Sequence, residues 1–65
     1  MKILLADIMY NKNVSARKLA TLTGISKSTI NNIANETYSP TMDNMERLAE
    51  VLRVRISDLY DSPYK

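Results

Sequence analysis

The sequence predicts an all-α fold, a compact bundle of five short helices filling residues 1–65 as one domain. Three observations point there. Apolar residues recur at helical spacing along most of the chain. One glycine and two prolines, with abundant Leu, Ile, Ala, Asn and Lys, suit helices. Ser15, Ser26 and Thr41 stand as N-cap residues directly before periodic stretches.

The elements follow in order. Helix 1 is expected from about Lys2 to Lys12, with Leu5, Ile8 and Met9 on one stripe. Asn13 tolerates the left-handed conformation that closes a helix. Helix 2 runs from Ser15 to about Thr23 and buries Leu19, Ala20 and Thr23; helix 3 runs from Ser26 to about Asn35 and buries Ile30, Ile33 and Ala34. Glu36 to Pro40 form a loop, because Pro40 disfavours helix at Ser39. Helix 4 starts at the Thr41 cap, with Asp43 complementing the dipole of its first turn. Its residues Met45, Leu48, Ala49 and Leu52 make a one-sided stripe at i, i+3, i+4 and i+7. A short helix 5, roughly Ile56 to Tyr60, returns Ile56 and Leu59 to the core.

Residues 15 to 33 carry the strongest signal. Ser15 and Ser26 are each preceded by an apolar residue, Val14 or Ile25, and followed four positions on by another, Leu19 or Ile30. That is a hydrophobic staple, twice in succession. Ala20 and Gly24 lie one turn apart, and small side chains there are expected to let two helices approach closely, with Gly24 at the turn. Two short helices joined in this way make a helix-turn-helix, which lays its second helix in the DNA major groove.

Composition narrows the alternatives. There is no cysteine, so neither a disulfide framework nor a thiolate metal site is available. Absence of histidine removes the usual zinc sites and a His general base. With no clustered carboxylate pair either, no catalytic constellation is defined, and no enzyme, cofactor or small-molecule ligand is expected. The apolar run Ile3 to Ala6 is cut by Asp7, too short for a signal sequence or a membrane span, so a cytoplasmic protein is expected.

The net charge of +2 is a weak hint of nucleic acid, but its distribution is sharper. No acid occurs between Asp7 and Glu36, where Lys12, Arg17, Lys18 and Lys27 all carry positive charge. Beyond Ser39 the acids Asp43, Glu46, Glu50, Asp58 and Asp61 outnumber the bases. Four bases alone would read as a solvated face. Their coincidence with the helix-turn-helix favours DNA.

The pattern resembles the phage Cro and repressor type of helix-turn-helix, the Xre family, whose fold is lambda-repressor-like. The likeness spans a first helix, the Ser15-to-Ile33 motif, the loop from Asn35 to Pro40, and the segment Pro40 to Tyr60. It implies a transcriptional regulator, most simply a repressor, binding a palindromic double-stranded DNA operator as a homodimer. The base-facing positions it implies are Lys27, Ser28, Asn31 and Asn32. Their chemistry fits: Lys27 can donate to guanine O6 and N7, Asn31 or Asn32 can pair with adenine, and Ser28 can serve either. Phosphate contacts are implied at Ser15, Arg17, Asn35 and Tyr38, with Lys18 beside them.

Departures from the family are specific. Ala16 stands where many members have a phosphate-binding Gln, leaving Arg17 or Lys18 to substitute. Glu36 stands where Gly is frequent, a lone acid on the expected DNA side, and Asn35 is expected to take the left-handed conformation instead. Met9 and Ala34 replace a buried Arg–Glu pair, an exchange that is often neutral or stabilising. Arg55 replaces the Ser that usually caps the last helix. A dimer contact is expected among Val54, Arg55, Tyr60 and Tyr64. The competing function is a protein-interaction module, such as an antitoxin-like component, using surplus apolar surface at Ile3, Leu4 and Leu22.

Overall fold

Three hydroxyls decide where three of the helices begin. In the computed structural model, which describes residues 1–37 and 39–65, Ser15 Oγ accepts the Lys18 N–H at 3.1 Å. Ser26 Oγ does the same for Thr29, and Thr41 Oγ1 for Asn44, each at 3.1 Å. Each bond satisfies an N–H three residues into the helix that would otherwise have no partner. The helices α2 (Ala16–Thr23), α3 (Lys27–Ala34) and α4 (Met42–Leu52) start directly after these caps. The first helix, α1 (Leu5–Lys12), has no side-chain cap.

The helices end alike. Asn13, Gly24, Glu36 and Arg53 follow α1 to α4 with φ of +61°, +77°, +60° and +58°. This left-handed residue turns the chain so that later N–H groups reach the helix's last carbonyls. At α3, Glu36 N donates to the Ile33 oxygen and Thr37 N to the Asn32 oxygen, both arms of a Schellman motif. Val14 N to Met9 O and Val54 N to Ala49 O do similar work at α1 and α4.

The stripes of these helices converge on one core. Leu5, Leu19, Ile25, Ile30, Ile33, Met45, Leu48, Ala49, Leu52 and Leu59 are buried, and Ile3 joins them. Leu48 of α4 belongs to this cluster and is wholly inaccessible to solvent. Ile8, Met9, Ala20, Ala34 and Ile56 pack against this cluster while half-buried. Met9 and Ala34 thus supply apolar surface where an ion pair was the alternative.

The five-helix expectation needs correction. Among the described residues there are four α-helices, and the segment expected as helix 5 is a 3₁₀ helix, Ile56–Leu59. Tyr60, the last residue expected in it, is extended and opens a strand, β2 (Tyr60–Asp61). The start of helix 1 is also later than expected, because Lys2–Ile3 form a strand, β1, antiparallel to β2. Lys2 pairs with Asp61 and Ile3 with Tyr60, while Leu4 N donates to the Leu59 oxygen at 2.8 Å. Pairing with a distant segment overrides the helical periodicity of two short apolar runs. Ile3 and Leu4 are buried or half-buried in this pairing, so the surplus surface expected there is not free.

Arg55 precedes the 3₁₀ helix without capping it by its side chain, since a guanidinium has no acceptor. Asp58 reaches back instead, its carboxylate accepting the Arg55 N–H at 2.9 Å. Half of a capping box thereby survives the loss of Ser.

Candidate nucleic-acid interface

The interface is built on the sharp connection between α2 and α3. Gly24 closes α2 with its N–H on the Ala20 oxygen at 2.9 Å. A Cβ on Gly24 would meet nothing within 4 Å, so glycine is favoured there by its φ of +77° and not by close helix approach. That corrects one expectation for the Ala20 and Gly24 pair. The buried Thr23 hydroxyl locks the same turn. Its Oγ1 donates to the Leu19 oxygen at 2.7 Å and accepts the Ile25 N–H at 3.1 Å. Ile25 then drops into the core, and Ser26 starts α3.

Burial of Ile30 and Ile33 fixes which face of α3 points outward. Ser28, Asn31, Asn32 and Asn35 fall at i, i+3, i+4 and i+7, a single stripe opposite those isoleucines. Ser28, Asn31 and Asn35 are exposed, and Asn32 is half-buried at the edge of the stripe. Lys27, at the first helical position, is exposed on its flank. The Ser26 hydroxyl is occupied internally, accepting from Thr29 N and donating to Thr29 Oγ1 at 2.8 Å. Ser28 Oγ lies 3.5 Å from it and remains on the surface.

Of the residues expected at phosphates, Ser15, Arg17 and Lys18 lie at the start of α2 and Asn35 at the end of α3. Ser15 is exposed at the start of α2, its lone pair committed to Lys18 N–H while its own proton is free to donate. Arg17 and Lys18 are exposed on the first turn of α2, where the helix dipole adds positive potential. Asn35 is exposed at the end of α3. Tyr38 lies outside the described residues. Ala16 is half-buried against the core, so its side chain does not replace the polar contact of a Gln.

Glu36 does not behave as expected. Asn35 has φ −86°, and Glu36 itself takes the left-handed conformation. Its Oε1 accepts the Ile3 N–H at 2.7 Å. Nothing in local spacing signals this bond, which joins residues 33 positions apart.

A polar outward stripe on the second helix of a tight helix-turn-helix, flanked by bases, defines a DNA-binding domain. The Helix-turn-helix family pattern matches residues 5–59 of the chain, from the first residue of α1 to the end of the 3₁₀ helix. The chain belongs to this Cro- and repressor-type, Xre-like family of DNA-binding transcription regulators. No curated protein sequence matches it. Among the described residues, no helix is long and apolar enough to cross a membrane.

Proposed function

We propose that residues 1–65 act as one sequence-specific DNA-binding unit in the cytoplasm, a repressor that binds a palindromic operator as a homodimer. The observation that carries this reading is the Ser28, Asn31, Asn32 and Asn35 stripe with Lys27 on its flank. Lys27, Ser28, Asn31 and Asn32 read base edges; Ser15, Arg17, Lys18, Asn35 and Tyr38 hold phosphates. Amides and hydroxyls both donate and accept, which suits the mixed patterns of major-groove edges. The acid-free stretch from Lys12 to Lys27 supplies the attraction that is independent of sequence.

Pairing of two protomers follows from what one helix can read. A single α3 covers a few base pairs, too few to find one site among roughly 10⁶ or more genomic competitors. A two-fold pair doubles the reading and sets half-sites about 34 Å apart, one turn of DNA. For the contact with the second copy the candidates are Tyr64, 95% exposed, Arg55, exposed, and Val54 and Tyr60, each half-buried.

Selection of bound duplexes from a random pool tests the reading. The expected product is a two-fold symmetric site bound by two chains in ultracentrifugation. Enrichment of an asymmetric site with one chain bound ends the dimer proposal. No enrichment at all removes sequence-specific binding and leaves the interaction-module alternative.

A further inference from the structure

The bond from Ile3 N–H to Glu36 is unlike the other side-chain hydrogen bonds among the described residues, which join positions no more than five apart. Its origin lies in the pairing of β1 with β2. In an antiparallel pair, hydrogen-bonded and non-bonded positions alternate. Leu4 N bonds to the Leu59 oxygen, so Ile3 opposite Tyr60 occupies the non-bonded position and its N–H points away from β2. The open edge of β1 is met by the carboxylate of Glu36.

Glu36 is the residue directly after Asn35, the last member of the outward stripe of α3. Its backbone is already fixed by both arms of the Schellman motif. The side chain therefore ties the end of α3 to the ribbon of β1 and β2. The same bond turns the carboxylate of this acid toward β1, where it accepts a backbone N–H.

We propose that Glu36 is a positioning residue for DNA readout, acting through the Ile3 amide to hold α3 at the angle its side chains need in the groove. This rests on α3 being the reading helix. Affinity for a selected site depends on that angle, whereas affinity for an arbitrary duplex depends mainly on charge. The bond needs an acceptor at position 36 and an N–H at position 3, and it does not need the negative charge itself.

The test compares the parent with Glu36→Gln, Glu36→Ala and a synthetic chain carrying an ester oxygen in place of the Ile3 N–H. Each is titrated with a duplex selected by the parent and with a scrambled duplex of equal length, at one salt concentration. Melting curves place every variant below its transition at the assay temperature. Glu36→Ala and the ester chain are expected to lose about tenfold on the selected site, comparable to one mismatched base pair. Neither loses affinity for the scrambled duplex, and Glu36→Ala gains slightly there because an acid is gone. Glu36→Gln keeps the acceptor and the parental ratio. A parental ratio in the ester chain, or a Gln variant as poor as the Ala variant, overturns the proposal. A parent that binds both duplexes alike removes the DNA reading itself, and the proposal with it.

Discussion

Among the described residues, four hold the left-handed conformation after the four α-helices, and one of these is glycine. For an L-residue that conformation costs about 1–2 kcal/mol, less for Asn, whose side chain can bond locally. Arg53, exposed and at φ +58°, carries that cost without a compensating side-chain bond among those described. Arg53→Gly should therefore stabilise the fold by about 0.5–1 kcal/mol in urea unfolding, the glycine's extra entropy in the unfolded chain offsetting part of the gain. Gly24→Ala is the converse. It should destabilise by about 1–2 kcal/mol through strain alone, since the new Cβ meets open space. An Ala variant that melts with the parent would show that the turn relaxes freely. Thr23→Val leaves the Ile25 N–H buried without its acceptor, a loss of about 1–3 kcal/mol despite near-equal volume.

At the scale of the helix, α3 separates two kinds of residue by exposure alone. Asn31→Ala and Lys27→Ala should each lose about 1–3 kcal/mol of discrimination at one or two base pairs, with far-ultraviolet circular dichroism unchanged. Arg17→Ala and Lys18→Ala on α2 should weaken binding to every sequence alike and flatten its salt dependence. If two or three charges per protomer engage phosphates, a dimer shows a log–log salt slope of roughly −4 to −5, and each substitution reduces it. The capping hydroxyls and apolar stripes that frame these helices were legible in the sequence because they act within four residues. So was the outward face of α3, which follows once Ile30 and Ile33 are assigned to the core. The strands were not legible: Lys2–Ile3 and Tyr60–Asp61 are two-residue elements defined only by each other. For the same reason Glu36 reads as a misplaced acid until Ile3 is beside it. The 3₁₀ geometry of Ile56–Leu59 is likewise set from outside, since Leu59 is wholly buried and its carbonyl is taken by Leu4.

Across the whole molecule, the core is small and its members come from β1, all four α-helices, the 3₁₀ helix and the turn residue Ile25. Leu48→Ala removes a side chain with no solvent exposure and should cost about 2–5 kcal/mol, a large share of the stability of a chain this size. Such a variant is expected to fail in DNA binding through unfolding, so its melting temperature rises and its activity returns when a selected duplex is added in excess. Loss of binding in Asn31→Ala should show no such recovery of a parental affinity. That contrast distinguishes a damaged fold from a damaged reading surface with two measurements on the same samples.

The ribbon of β1 and β2 closes a loop of nearly the full chain length, whereas α2 and α3 meet across a short turn. Loop closure over that span opposes folding until the helices have packed, and four residues of ribbon give little in return. The ribbon should therefore form after the rate-limiting step. Ile3→Val is expected to leave the folding rate nearly unchanged and to speed unfolding, a φ-value near zero. In the folded protein the same logic makes the ribbon the first part to open, with amide exchange at Leu4 faster than at Leu48. An opening of these two-residue strands is expected to free the Ile3 N–H from Glu36, and with it the end of α3, while the helix itself stays intact.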